Sequence, residues 1–260
     1  MMKAVSTQSG WTWIKQGFTL FRKRPTELLS LFFLWMMLTQ LLRFIPVAGQ
    51  FVSFFLFPAF SVGLMQACLY IETEQKVRPG LLFIGFKSQY LVALLGSGVL
   101  RIAAIFFTLW CADTLNDGAL STFMKAAGSA EGMDAASLEK ALPVKAIFSA
   151  ILIYIPFSMA FWYSVPLMTW QRMPLFKSMF YSFFAALHSW KALLLYGLGW
   201  YGISILVTLP ATIFLVIDIN FGVLMLTALS FIMFVIAFCS SYPTYTDVFG
   251  KPEEEHQSAE

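Results

Sequence analysis

The chain is short of charge. Only 12% of its 260 residues are Asp, Glu, Lys or Arg, about half the share of a soluble domain. Set beside 59% hydrophobic residues and a mean hydropathy of +0.74, that shortage excludes a soluble fold. Histidine is scarce at two residues and cysteine at three, with no CxxC pair. His188 and His256 are far apart. Cys68, Cys111 and Cys239 lie inside or at the ends of apolar runs and read as small buried hydrophobes. These residues make no metal site, and no cofactor is expected. There is no nucleophile elbow, phosphate loop, HExxH helix or paired-carboxylate arrangement. No catalytic residue is therefore nominated, and the chain reads as a non-enzyme. The net charge of +3 is small, and the basic residues cluster beside apolar runs, which argues against a nucleic-acid partner. No small-x-small site follows the first apolar run, so that run reads as a retained span rather than a cleaved signal. Glycosylation sequons and lipidation motifs are also missing.

Aromatic residues, by contrast, are abundant: 28 Phe, eight Trp and nine Tyr. Tryptophan and tyrosine suit the headgroup region of a bilayer. Six apolar stretches, about 28–45, 51–71, 90–112, 144–170, 192–217 and 221–240, each approach the roughly 20 residues that a hydrocarbon core requires. In lipid the backbone must satisfy its own hydrogen bonds, so each stretch is expected to be helical. The fold class is all-α: a polytopic membrane bundle of about six transmembrane helices, forming a single domain over 1–250, with a polar tail at 251–260.

Three shorter segments precede the odd-numbered spans. In the first, Trp11, Ile14, Phe18 and Phe21 recur at intervals of three and four, which places them on one helical face. Arg22, Lys23, Arg24 and Pro25 then close it. The segments 79–88 and 174–190 follow a similar plan, the latter with Phe176, Phe180, Phe183, Phe184 and Leu187 on one side. All three are expected to be interfacial amphipathic helices lying on the cytoplasmic surface. Trp11, Trp13, Phe18, Phe21, Phe86, Phe184 and Trp190 are the candidate interfacial anchors.

Orientation follows from Lys and Arg. Twelve lie on the side of the termini, four (Arg43, Lys125, Lys140, Lys145) on the other, and Arg101 within a span. This asymmetry places both termini in the cytoplasm of a bacterial inner membrane, with the acidic loop 113–145 outside. Gly17-Phe18, Gly85-Phe86 and Phe184 occupy matching places in the short segments, and Pro58, Pro166 and Pro243 lie late in each hairpin. The pattern suggests a threefold hairpin repeat with units 10–71, 79–170 and 174–246. All three copies cross in the same direction, unlike the inverted repeats of many secondary transporters.

The opening Gly10-Trp11-x-Trp13-Ile14-x-x-Gly17-Phe18-x-Leu20-Phe21-Arg22-Lys23-x-Pro25 resembles a family of uncharacterised bacterial integral membrane proteins with about six spans. More loosely, the repeated short-helix-plus-hairpin plan is similar to the membrane domain beside some bacterial glycerophosphodiester phosphodiesterases. The resemblance implies an inner-membrane protein and supplies no catalytic residues.

Arg101 is the sharpest anomaly. It lies 11 residues after Tyr90, about 16 Å along a helix, and so near mid-bilayer, where a cation costs at least roughly 2.5–3.5 kcal/mol. Two readings stay open. Arg101 lines a path for an anion or headgroup, or it bonds backbone carbonyls or polar side chains such as Gln40, Gln50 or Thr108 and holds the bundle together. Gln66 is a candidate for a helix–helix hydrogen bond. At the outer level, Arg43 and Asp218 form a candidate ion pair. Two functions are carried forward: a structural, assembly or lipid-associated factor whose partners are membrane lipids and other membrane proteins, and a small transporter or channel built on Arg101.

Overall fold

The computed structural model describes residues 5–45, 48–128 and 142–252. Its regular structure among these residues is all helical, and six helices are long and apolar enough to cross a membrane. In chain order the helices are α1 (Ser9–Lys23), α2 (Pro25–Arg43), α3 (Ala48–Glu72), α4 (Ile84–Lys87), α5 (Leu91–Thr114), α6 (Ala119–Gly128), α7 (Val144–Trp162), α8 (Ser164–Thr169), α9 (Leu175–His188), α10 (Trp190–Ile217) and α11 (Ile219–Phe249). The spans are α2, α3, α5, α7 with α8, α10, and α11.

Local sequence sets several boundaries. Pro25 occupies the first turn of α2, where a missing N–H costs nothing. Asp218 caps α11: its Oδ1 accepts from Asn220 N at 2.8 Å and Phe221 N at 3.1 Å. Gly250, at φ 91°, ends the same helix in a conformation that side chains disfavour. The fourth span breaks between α7 and α8. Pro166 has no N–H for the carbonyl of Trp162 four residues earlier, and its ring crowds that oxygen. By contrast Pro58, Pro156, Pro210 and Pro243 sit inside continuous helices.

The core lies around α3, not around the N-terminal stretch. In its most apolar window 61% of α3 is buried, against 11% for the fourth and fifth spans. Leu28, Leu31 and Phe32 of α2, Leu64, Cys68 and Ile71 of α3, and Cys239, Tyr242, Tyr245 and Val248 of α11 form one cluster. Because consecutive spans alternate in direction, all of these residues fall on the side that carries both termini, here called the terminal face. Toward the far face the spans expose apolar side chains, among them Phe54, Trp110, Ile151, Ile213 and Leu224. The bundle is packed at the terminal face and opens toward the other, where the exposed groups suit hydrocarbon.

The short segments pack against the spans. α1 is amphipathic, with Trp13, Ile14, Gly17 and Leu20 buried on the bundle and Trp11, Lys15, Gln16 and Thr19 exposed. Gly10 touches the backbone of Ala192 and Tyr196 on α10, and a Cβ on Gly17 would come within 2.4 Å of Ser240 Cβ on α11. Residues 79–88 are not one amphipathic helix. Pro79–Phe83 is a 3-10 turn that runs into the single turn α4, and it packs on α3, where Gly85 meets Ala59 and Gly63 meets Leu81 and Leu82. α9 turns its small residues, Ser178, Ser182, Ala185 and Ala186, inward and leaves Phe176, Phe180, Phe184 and Leu187 exposed. Each short segment therefore sits against a pair of spans: α1 on α10 and α11, 79–87 on α2 and α3, and α9 on α5 and α7. The polar loop 113–145 also contains structure, since α6 occupies its first part. Residues 129–141, with Glu131, Asp134 and Glu139, lie outside the described residues.

Candidate functional site

Arg101 sits on α5 opposite the break between α7 and α8. Its Nη2 donates to the carbonyl oxygen of Phe161 at 3.0 Å, and its guanidinium lies 4.6 Å from the Phe161 ring centroid. The break leaves the last groups of α7 without helical partners, and three side chains take them up. Ser164 Oγ also donates to Phe161 O, Ser182 Oγ accepts from Tyr163 N at 2.8 Å, and Ser182 Oγ donates to Met159 O at 2.7 Å. A cation at a helix C-terminus is favoured by the helix dipole. Arg101 thus fastens α5 to α7, while its Nε and the hydroxyl of Thr108, two turns on along α5, are buried without partners. Gln40 is exposed and does not reach Arg101. The side chain of Gln50 lies outside the described residues.

A second polar group lies at the terminal face, where α3, α8 and α11 end together. Glu72 closes α3; it accepts from Tyr242 Oη at 2.6 Å and pairs with Lys251 at 2.8 Å. Gln66 Oε1 accepts from Trp170 Nε1 at 2.9 Å, which is the helix–helix bond expected of Gln66. Gln171 Nε2 donates to Tyr245 Oη at 3.2 Å. The rings of Trp170 and Tyr245 lie 5.0 Å apart. On the flank, Tyr196 and Trp200 of α10 both bond Ser240 Oγ, at 2.7 and 3.1 Å. These bonds tie buried aromatic rings to polar ends and fix how the spans meet.

The candidate anchors divide. Trp11, Phe184 and Trp190 are exposed. Trp13 is an interior residue: it is 1% exposed and its Nε1 donates to Asp247 Oδ2 at 3.0 Å. Phe18 stacks on Trp200 at 5.9 Å, and Phe86 meets Phe60 at 4.9 Å. Phe21 packs against the main core. Of the apolar face of α1, Ile14, Phe18 and Phe21 pack against protein, while Trp11 is exposed. The candidate outer pair is absent from the ion pairs among the described residues; Asp218 Oδ1 instead accepts from the first amides of α11.

The comparisons bear on what this arrangement belongs to. No family model matches the chain, and no solved structure matches it. A probable inner membrane protein of Burkholderia thailandensis is 30% identical over 258 residues, covering 96% of this chain and 94% of that protein. The chain belongs to the family of that protein. With its six spanning helices, this inner-membrane family member is a multi-pass protein of the inner membrane.

Within this family member the sequence left several connecting residues unmarked. Glu72, Tyr242 and Lys251 stand near span ends, where charge and tyrosine are ordinary. Asp247 and Trp13 are 234 residues apart, and no short-range pattern joins them. The spacing in the chain offers a signal only at Asp218, where the Asp-x-Asn order before an apolar run marks a cap. Asp218→Ala is expected to lower stability by about 1 kcal/mol, the usual cost of a lost N-cap. Asp218→Asn is expected to restore most of it, as read by thermal unfolding in detergent. Equal losses in both variants would show that the charge, not the cap, is what matters.

Proposed function

We propose that this protein is a non-enzymatic structural or assembly factor of the inner membrane, associated with lipid and with other membrane proteins. Its termini are cytoplasmic in this reading, and the loop 113–145 is outside. The observation that carries it is α9. A helix that buries serine and alanine and presents Phe176, Phe180, Phe184 and Leu187 outward has its apolar stripe free for acyl chains or a partner helix. The likeness of its opening block to uncharacterised six-span proteins, and of its plan to the membrane domain beside some phosphodiesterases, accords with this role.

The same reading includes a threefold repeat over 10–71, 79–170 and 174–246. Each short segment leans on the two spans that precede it, with α1 closing the series onto the last two. The close contacts recur at Gly17 on Ser240, Gly85 on Ala59 and Ser182 on Met159. Phe18, Phe86 and Phe183 follow these three positions, so the third match shifts by one residue from Phe184.

Co-purification from native membranes tests the role, with lipids and proteins identified by mass spectrometry. The expected result is a reproducible set of bound lipids or spans lost on Phe180→Asp with Phe184→Asp. Unchanged recovery in that variant would overturn it. Labelling of a cysteine at Ser129 in intact cells tests the orientation. Reaction only after permeabilisation would invert it.

The buried, unpartnered Nε of Arg101 favours a second reading, a small transporter or channel whose path Arg101 lines. Arg101→Leu separates the two. Replacing a buried charge with an apolar group of similar bulk is often neutral or stabilising. On the structural reading, Arg101→Leu accumulates normally, whereas Arg101→Ala is about 2 kcal/mol less stable because it leaves a void. A folded Arg101→Leu protein that loses a measured flux would decide for transport.

A further inference from the structure

A notch of about 230 Å³ opens at the terminal face between the first two turns of α2 and the segment Val77–Pro79, lined by Thr26, Glu27, Ser30, Leu31, Val77, Arg78 and Pro79. Its charge is unbalanced. Glu27 is already engaged: Arg24 pairs with it at 3.0 Å and Val77 N donates to it at 3.2 Å. A second Nη of Arg24 donates to the carbonyl of Glu74 at 3.3 Å, which pins the turn to α2. Glu72 is held by Lys251 and Tyr242, and Glu74, exposed in the same turn, sets one carboxylate against four exposed cations. Arg78 in the lining, and Arg22, Lys23 and Lys76 flanking it, are exposed and make no ion pair among the described residues. The amides that open α2 add a positive dipole end on the same side. The hydroxyls of Thr26 and Ser30 line the wall.

Depth completes the case. Leu28, on the opposite face of α2 from the notch-lining Thr26, Glu27, Ser30 and Leu31, is fully buried in the core cluster, and the apolar run of α2 begins there. The notch therefore lies at the level where a span leaves hydrocarbon and headgroups begin. A site with cations at its rim, apolar walls at Leu31, Val77 and Pro79 and a place at that level complements a phosphodiester that carries its own acyl chains. We propose that this notch binds the headgroup of an anionic phospholipid, with Arg78 on the phosphate and Arg22, Lys23 and Lys76 supplying the surrounding field. The assignment rests on the lipid association proposed above and names the lipid class and the site.

The full-length protein in nanodiscs of equimolar phosphatidylglycerol and phosphatidylcholine tests it. The protein is extracted into detergent, and the two lipids that remain bound are quantified by mass spectrometry. Wild type is expected to retain phosphatidylglycerol preferentially, and the preference is expected to fall as salt rises. The triple variant Arg22→Gln/Lys76→Gln/Arg78→Gln is expected to lose the preference by roughly tenfold or more, since each juxtamembrane cation contributes to anionic-lipid attraction. Lys177→Gln/Lys191→Gln, on α9 and α10, is expected to leave it intact. If the triple variant keeps the wild-type preference, the site is wrong although lipid association stands. If wild type shows no preference, both this site and the anionic lipid class fail. If inorganic phosphate stabilises lipid-free protein as strongly as phosphatidylglycerol does, the ligand is a free anion and the lipid assignment is overturned.

Discussion

Trp13→Ala is expected to cost about 3–5 kcal/mol, the range for deleting a large buried aromatic side chain. The residue is 1% exposed, lies within a cluster with Ile14, Ala192 and Tyr196, and meets the Tyr196 ring edge-on at 6.1 Å. Its Nε1 also donates to Asp247, so the deletion strips a carboxylate near the end of α11 of its donor. Two consequences are separable. Trp13→Phe retains most of the apolar contact and loses the hydrogen bond; its expected loss is about 1 kcal/mol, the usual net value of one such bond. Trp13→Ala should in addition loosen α1, which a protease-accessible site near Gln16 would reveal at temperatures where the spans remain folded. If Trp13→Ala matched Trp11→Ala in thermal unfolding, the Trp13 face of α1 would not be packed on the bundle, because Trp11 is exposed.

That result would also measure how far sequence reasoning reaches in a membrane protein. The six spans are legible because twenty apolar residues in a row leave few alternatives. Their ends are less so. The last span reads as finished near Ser240, where Ser-Ser-Tyr-Pro-Thr-Tyr begins, yet α11 continues to Phe249 because Tyr242, Tyr245 and Val248 pack into the core. Hydropathy registers the loss of apolar residues there and cannot register that tyrosine hydroxyls find Glu72 and Gln171. Likewise an apolar face on α1 looks the same in sequence whether lipid or protein covers it. The distinction lies in Gly10 and Gly17, which permit contact with backbone only if a partner helix is there. Arg101 was visible as an anomaly, but its partner was not. Phe161 O is a backbone atom in the last turn of α7, ahead of the break at Tyr163, and no side-chain pattern announces it.

Gly17→Leu is the other substitution with a large expected effect. A Cβ at Gly17 would stand 2.4 Å from Ser240 Cβ, 2.7 Å from its Cα and 2.9 Å from its nitrogen. The obstruction is mostly backbone of α11, which cannot swing aside as a long side chain can. Overpacking of this kind usually costs about 1–3 kcal/mol and sometimes more. The upper end is expected here, because moving α11 also disturbs the bonds from Tyr196 and Trp200 to Ser240. Gly202 on α10 supplies the internal control: nothing lies within 4 Å of its Cβ position, so Gly202→Leu should leave unfolding unchanged or raise it slightly through helix propensity. The comparison also bears on the threefold plan. A Cβ on Gly85 would run into the backbone of Ala59 in the matching place on the second segment, and a repeated unit should make Gly85→Leu as damaging as Gly17→Leu. Thermal unfolding of the three variants in one detergent would settle it. A harmless Gly85→Leu beside a damaging Gly17→Leu would mean that the two contacts only look alike and that α1 holds its spans by packing of its own.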